Sequence, residues 1–148
     1  MAVHFTSQEF KNRKANLLKS MNEAKIDALL MFKQESMYWL TGYDTFGYVF
    51  FQCLVLDSSG NIILLTRAPD LRQAQNTSII KDIRIWIDKN EANPNDDLQK
   101  ILNELNLKGK KIGVEYDAYG LTGKNAILLN KSLNDNYRIE DRSELISK

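Results

Sequence analysis

Cysteine and histidine are nearly absent from this sequence, which has one of each among 148 residues. The single cysteine, Cys53, lies in the apolar run 49–56, where a thiol usually behaves as a small buried hydrophobe. One cysteine cannot form an intrachain disulfide, and disulfides are typical of oxidising compartments. The sequence therefore excludes a disulfide framework, and we expect a cytoplasmic protein.

The shortage of ligand-type side chains also bears on catalysis. A metal centre needs several His, Cys, Asp or Glu side chains that converge on one point. The only histidine is His4, near the N-terminus, and no second histidine is present to serve as the base for a serine or for Cys53. The acidic residues show no paired spacing for acid–base chemistry. We therefore expect no metal site and no catalytic residues in this chain.

A strong charge of one sign and a long apolar run are also missing. The 20 Lys and Arg residues nearly balance the 19 Asp and Glu residues, which leaves a net charge of +1. Such a chain lacks the positive field that attracts nucleic acid or an anionic membrane. No segment approaches the roughly 20 apolar residues of a membrane span. We therefore expect neither nucleic-acid nor membrane binding.

Helical and extended patterns alternate along the chain. Thr6 followed by Glu9 has the spacing of a capping box, which predicts a first amphipathic helix that ends near Lys25. The apolar run 28–32 predicts a strand buried on both faces, and residues 35–40 predict a short helix. The first part of the chain therefore contains a helix, a strand and a second helix.

Residues 48–56 and 62–66 predict a hairpin, because both segments are rich in β-branched and aromatic residues around a polar turn. Strands that alternate with helices, together with this hairpin, predict one α/β domain over residues 1–148, with three layers and a mixed sheet flanked by helices. The further predicted elements are helix 70–75, strand 83–87, helix 94–105, strand 111–116, helix 122–133, strand 137–140 and a helix that begins in 141–146.

One segment imitates a phosphate-binding loop. Residues 118–125, Ala-Tyr-Gly-Leu-Thr-Gly-Lys-Asn, follow a predicted strand and precede a predicted helix. Ala118 replaces the first glycine of that motif, and Asn125 replaces its magnesium-binding Ser or Thr. The better interpretation is that Thr122 caps a helix. A flavodoxin-like or Rossmann-like cofactor binder is a further alternative, although no Gly-x-Gly-x-x-Gly follows the first strand.

The segment 38–48 is unusually aromatic, with five aromatic residues around two glycines. Residues 38–40 are expected to face the core, because aromatic side chains there continue a short helix. For Tyr43, Phe46 and Tyr48, which lie on the loop side, packing and an exposed binding role are both open interpretations.

Five segments, in this order, resemble the N-terminal domain of the creatinase, prolidase and aminopeptidase P group of pita-bread enzymes. They are Ile-Asp-Ala-Leu-Leu at 26–30, Tyr-Trp-Leu-Thr-Gly-Tyr at 38–43, Leu-Leu-Thr-Arg at 64–67, Lys-Ile-Gly-Val-Glu at 111–115 and the tail 141–146. The resemblance covers essentially the whole chain and implies the ribonuclease H-like motif of these N-terminal domains.

The resemblance implies that catalysis belongs to a separate domain that follows this one. In the peptidases of the group that domain binds a divalent metal pair through two Asp, one His and two Glu, whereas creatinase works without metal. No cofactor is then expected in this chain. The expected partners are its own C-terminal catalytic domain and, in a homodimer, a second subunit, because these N-terminal domains mediate assembly and wall off the active site.

The function implied by this resemblance is to gate and select substrate. Candidates for the substrate entrance are Tyr43, Phe46, Tyr48 and Arg67, whose guanidinium could hold a carboxylate in a bidentate pair. The alternative for Arg67 is a surface salt bridge. The parent enzyme would be an Xaa-Pro dipeptidase or aminopeptidase, or a hydrolase of small zwitterions related to creatine or ectoine. A stand-alone binding or oligomerisation module is the alternative from another class.

The first testable prediction is that the 148-residue chain alone does not hydrolyse Xaa-Pro dipeptides, with or without added manganese, cobalt or zinc. The reason is that it lacks the side chains that would hold a metal ion and activate water. Release of free proline, measured over hours at high protein concentration, is the assay. Metal-dependent turnover that disappears on mutating His4 would contradict the prediction.

Overall fold

The computed structural model describes residues 5–45, 47 and 50–146. These residues form five α-helices and six strands, and a short 3₁₀ turn, Ala68–Asp70, leads into the third helix. In chain order the elements are α1 Ser7–Ala24, β1 Ala28–Met31, α2 Gln34–Thr41, β2 Cys53–Asp57, β3 Ile62–Arg67, α3 Leu71–Thr77, β4 Asp82–Trp86, α4 Pro94–Glu104, β5 Lys111–Val114, α5 Gly123–Leu133 and β6 Arg138–Asp141.

The predicted boundaries of α1 are confirmed. The Thr6 hydroxyl accepts a hydrogen bond from the Glu9 backbone N–H at 3.1 Å and so satisfies one of the free donors at the helix start. The helix ends at Lys25, which has a left-handed backbone with φ 59° and donates its N–H to the Asn22 and Met21 carbonyls. A local sequence signal therefore sets the start of this helix, whereas its end has no glycine to mark it.

The six strands form one mixed sheet in the order β4-β3-β2-β1-β5-β6. Strand β2 runs antiparallel to β1 and β3, whereas the pairs β1–β5, β3–β4 and β5–β6 are parallel. All strands except β2 therefore point in the same direction. We call the side of the sheet at which these strands end the carboxyl edge. Strand β3 ends there with Arg67, and the other four strands are followed there by Phe32, Ile87, Glu115 and Arg142.

Two apolar cores, one on each face of the sheet, confirm the three-layer prediction. Successive side chains of a strand point to opposite faces, so Ala28 and Leu30 of β1 join one core and Leu29 and Met31 join the other. Helices α4 and α5 cover the first face through Leu98, Ile101, Leu102, Leu129 and Leu133. Helices α1, α2 and α3 cover the second face through Leu17, Met21, Met37, Leu40 and Ala74.

The hairpin prediction is confirmed, but its first strand is shorter than predicted. Strand β2 begins at Cys53, whereas the pattern predicted residue 48; residues 48 and 49 lie outside the described part of the chain. The amide of Gln52 donates to the Gly47 carbonyl at 2.7 Å, and residues 50–52 do not pair with β3. The aromatic and β-branched residues before Cys53 favoured a longer strand, whereas the Gln52 side chain bonds to the backbone of Gly47 instead.

The helix predicted to begin in residues 141–146 is not formed in the described chain. Strand β6 continues to Asp141, and residues 143–146 form a turn in which the Leu145 N–H donates to the Arg142 carbonyl at 3.1 Å. The Asp141 carboxylate accepts the Ser143 N–H at 2.9 Å, and this local bond favours a turn over a helix. At 122–133, by contrast, Thr122 caps α5 as predicted, accepting the Asn125 N–H at 3.2 Å.

The fold predicts that the isolated chain unfolds cooperatively, because both cores lie within it. Replacing the fully buried Leu30 by Ala should lower the free energy of unfolding by about 2–5 kcal/mol, since it leaves a cavity. The matched control Ile127→Ala, at a side chain that is 69% exposed, should change it by less than about 0.5 kcal/mol. Urea unfolding followed by circular dichroism and tryptophan fluorescence measures both. Equal effects of the two variants, or transitions that do not coincide, would contradict the fold described here.

Candidate functional site

The carboxyl edge is the part of the fold most suited to a site, because ligands of open α/β sheets bind outside the carboxyl ends of parallel strands. The chain reaches it at the end of β1, and the helix that follows, α2, ends at Gly42, which has a left-handed backbone with φ 81° and donates its N–H to the Tyr38 carbonyl. A Cβ at Gly42 would lie 2.9 Å from the Thr77 carbonyl oxygen, so a larger residue does not fit. Strand β2, which runs antiparallel to the others, begins at this edge with Cys53.

Tyr43, the first candidate of this loop, belongs to the core. Its side chain is fully buried, and its hydroxyl donates to the Gln52 side-chain oxygen at 2.6 Å. The Gln34 amide donates to its carbonyl at 2.9 Å. Burial raises the pKa of the Tyr43 phenol to about 12. The packing interpretation therefore holds for Tyr43, and an exposed role at an entrance does not fit its burial.

A buried carboxylate lies under the loop. Asp70, only 6% exposed, accepts a hydrogen bond on Oδ1 from the Thr45 hydroxyl at 3.0 Å. Its other oxygen, Oδ2, accepts from the Arg67 Nε–H at 3.3 Å and from the Thr66 hydroxyl at 3.4 Å. A Cβ at Gly47 would lie 2.5 Å from Asp70 Oδ1, so the loop fits closely over this carboxylate. Asp70 therefore connects the loop to the end of β3.

Arg67 lies at the end of β3 beside this carboxylate. The carbon at the centre of its guanidinium group is 3.6 Å from the centroid of the Phe50 ring, which is 44% exposed. Its Nη1 lies 3.8 Å from Asp88 Oδ2, a long ion pair to an exposed side chain. A guanidinium stacked on a ring keeps its plane, and its remaining N–H groups suit a carboxylate. The arrangement can therefore bind an anionic group at the carboxyl edge.

The other two entrance candidates, Phe46 and Tyr48, lie outside the described residues. The structure adds residues that the sequence did not single out: Phe50, Asp70 and Asp88. Asp70 follows Pro69 and looked like an ordinary acidic residue in the first turn of a helix. The sequence contained no signal that would place its carboxylate beside residues 45 and 67.

A second buried carboxylate, Glu115, follows β5 at the same edge. It accepts the backbone N–H groups of Phe32 and Lys33, both at 3.1 Å, and the Ser36 hydroxyl at 2.6 Å. Burial raises the pKa of Glu115 above its ordinary value, and the hydrogen bonds only partly oppose this. All these donors come from the segment that begins α2, so Glu115 attaches α2 to the sheet. This structural role explains why the carboxyl group is buried.

A cleft of about 400 Å³ lies next to this attachment, lined by residues 32–35 and 117–120. Its charged lining residues are Lys33, Glu35 and Asp117, so both signs of charge are present. Within residues 5–45, 47 and 50–146, no three His, Cys, Asp or Glu side chains come together in a way that could hold a metal ion. No helix of the same residues is long and apolar enough to cross a membrane.

The profile of the creatinase/prolidase N-terminal domain matches residues 13–148. The chain belongs to this family. Among curated proteins, ectoine hydrolase of Halomonas elongata is 27% identical over 131 residues, which cover 84% of this chain and 33% of the relative. The chain thus spans about a third of the length of the curated relatives it matches.

Solved structures share the fold of this family domain. A prolidase from Thermococcus sibiricus superposes with a TM-score of 0.77 at 19% identity, over 96% of this chain and 37% of the prolidase chain. The N-terminal domain of the cytoplasmic peptidase PepQ from Mycobacterium tuberculosis, solved as a separate domain, has a TM-score of 0.70 at 16% identity, over 92% of this chain and 96% of its own. The resemblance to creatinase/prolidase N-terminal domains is therefore confirmed.

The burial of Glu115 predicts a pH-dependent stability. Its pKa in the folded state is raised above the ordinary value near 4.5, so the folded chain holds this proton more tightly than the unfolded chain. The resulting stabilisation is present below about pH 4.5 and is lost as the pH rises through the folded-state pKa. Between pH 4 and 7.5 the wild-type chain should therefore lose stability relative to Glu115→Gln.

Urea unfolding of both proteins across this pH range measures the difference. The surface variant Glu23→Gln serves as the control, and its stability should follow that of the wild type at every pH. Parallel curves for the wild type and Glu115→Gln would show that Glu115 does not favour its protonated form in the folded chain.

Proposed function

We propose that this chain is the non-catalytic N-terminal domain of a creatinase- or prolidase-type hydrolase, and that its carboxyl edge lines the substrate entrance of a catalytic domain. The observation that carries the proposal is the Arg67 guanidinium, held at this edge on the Phe50 ring. The domain covers 37% of the prolidase chain, and this share supports a hydrolase in which a catalytic part follows the domain.

The position of Arg67 within the sheet favours the active site of a neighbouring subunit. Residues 142–146 follow β6 at the carboxyl edge, so a polypeptide that continued from there would begin next to β6. Arg67 ends β3, four strand positions away, which corresponds to roughly 19 Å at 4.8 Å per strand. A catalytic domain attached near β6 would leave Arg67 free for a second subunit. We propose a homodimer on this basis.

The chemistry of the site favours substrates that carry a carboxylate. The Xaa-Pro peptides of prolidases and aminopeptidases and the small zwitterions of the group share a carboxylate, which a guanidinium binds well. Because Arg67 already occupies one face of the Phe50 ring, a cationic part of the substrate would need another aromatic ring, such as Phe46 or Tyr48. We therefore propose that Arg67 holds the anionic end and that these aromatics contact the rest.

The alternative is a stand-alone binding or oligomerisation module that acts without a catalytic domain, and the separately solved PepQ domain is compatible with independent folding. The reading frame beyond residue 148 distinguishes the two. A continuation of some two hundred residues that contains the Asp, His and Glu ligands supports the proposal, and a stop codon contradicts it. A cytoplasmic location is part of the same proposal.

In the full-length parent, Phe46→Ala and Arg67→Gln should each raise KM or lower kcat/KM about tenfold, the effect of losing a contact of about 1.4 kcal/mol. The melting temperature of Arg67→Gln should stay nearly unchanged, because Arg67 belongs to neither of the cores described above. We expect the same of Phe46→Ala. Steady-state kinetics on Xaa-Pro dipeptides and on ectoine-type substrates tests this.

A matched control is Arg84→Gln. Arg84 lies in the middle of β4, away from the carboxyl edge, and pairs with Asp82 of the same strand and with Glu104 of α4. This variant should keep wild-type kinetics. Wild-type kinetics in Phe46→Ala and Arg67→Gln, or loss of activity only in proportion to loss of folded protein, would refute the entrance role.

A further inference from the structure

Asp70 ends the 3₁₀ turn that leads into α3; its backbone is helical, with φ −91° and ψ −7°, and its side chain makes no capping bond to that helix. An aspartate that caps a helix has an extended backbone, from which its carboxylate accepts the free N–H groups of the first turn. Here the carboxylate turns away from α3 and is buried beneath the loop, where Thr45, Thr66 and Arg67 contact it. Capping of α3 therefore does not explain the orientation of this side chain.

The contact with Arg67 determines which part of the guanidinium remains available. Asp70 Oδ2 accepts the Nε–H, on the side of the group that is nearest the backbone. The two terminal nitrogens form the opposite edge of the fork, and that edge can bind a carboxylate end-on with two N–H groups. Among the described residues, one acid pairs with these terminal nitrogens: Asp88 Oδ2 lies 3.8 Å from Arg67 Nη1.

The Phe50 ring also restricts the orientation of the Arg67 guanidinium. Contact with the Phe50 ring, 3.6 Å from the guanidinium carbon to the ring centroid, restricts the orientation of the group, and the bond from Nε to Asp70 restricts its rotation. A free arginine side chain has many rotamers, and restricting them before a ligand arrives lowers the entropic cost of binding. Asp70 and Phe50 together therefore preorganise Arg67.

The same carboxylate holds the loop. Its other oxygen, Oδ1, accepts the Thr45 hydroxyl, which in turn accepts the Gly47 N–H at 3.0 Å. One buried group thus contacts both the aromatic loop and the arginine at the end of β3.

We propose that Asp70 is a positioning residue that presents the terminal N–H edge of Arg67 to the carboxylate of the substrate and holds Thr45 and, through it, Gly47 beside this arginine. This inference rests on the entrance role proposed above for Arg67. Asp70 itself, beneath the loop, acts through Arg67 and does not contact the substrate.

The first test uses the 148-residue chain and nuclear magnetic resonance of arginine side chains. In the wild-type chain, Arg67 should give a resolved Nε–Hε signal that exchanges slowly with water, because Asp70 accepts this proton. Asp70→Asn should shift this signal and broaden it by solvent exchange. The matched control Asp82→Asn removes the corresponding acceptor of Arg84, at 2.7 Å, and should change only the Arg84 signal. An Arg67 signal that is unchanged in Asp70→Asn would overturn the positioning role.

The second test uses the full-length parent with Asp70→Asn, Arg67→Gln and the double variant. Asp70→Asn should raise KM for a carboxylate-bearing substrate about tenfold with little change in kcat, and the double variant should be no worse than Arg67→Gln alone. Effects that multiply in the double variant would show that Asp70 does not act through Arg67. If Asp70→Asn folds poorly, Asp70→Ser, which keeps a hydroxyl beneath Thr45, is measured in the same two assays.

The two proposals fail in different ways. An unchanged KM in Arg67→Gln would overturn the entrance role even if the Arg67 signal depends on Asp70. Raised KM in Arg67→Gln, together with wild-type KM and a wild-type Arg67 signal in Asp70→Asn, would overturn only the positioning role.

Discussion

The fold depends on the central strand β1, whose two neighbours run in different directions. Its antiparallel pairing with β2 attaches the hairpin, and its parallel pairing with β5 attaches the second half of the sheet. Because β1 is buried on both faces, its alternating side chains enter both cores, and a shift by one residue would exchange the cores. This register aligns the ends of β1, β3, β4, β5 and β6 at one edge.

Two buried carboxylates use that edge in different ways. Glu115 receives all its hydrogen bonds from the segment that begins α2, so its donors are matched within the scaffold. Asp70 receives one of its bonds from Arg67, whose terminal nitrogens have Asp88 as their ion-pair partner among the described residues, at 3.8 Å. A buried acid whose donors all come from the scaffold attaches one element to another, whereas one that orients a charged side chain can also prepare a site.

In the proposed function, this domain has no reaction of its own and determines what the hydrolase accepts. The chain belongs to the creatinase/prolidase N-terminal domain family and covers about a third of its curated relatives, which supports the proposed division between a domain that binds and orients the substrate and one that reacts. A preorganised guanidinium at the edge of a rigid sheet suits this role, because a site supported by strands varies less in geometry than one on free loops.

Much of this protein is determined by short-range sequence signals: Thr6 and Glu9 start α1, Gly42 ends α2, and alternating apolar residues define a mixed sheet between helices. These signals succeed because capping and burial depend on neighbouring residues. The start of β2, the turn after β6, the burial of Tyr43 and the cluster around Asp70 were decided only by the tertiary structure. Asp70 meets Thr45 across 25 positions of sequence, and no local pattern encodes which distant donor a buried carboxylate finds. The contacts that orient the Arg67 guanidinium therefore form only when the folded sheet brings the end of β3 next to Thr45.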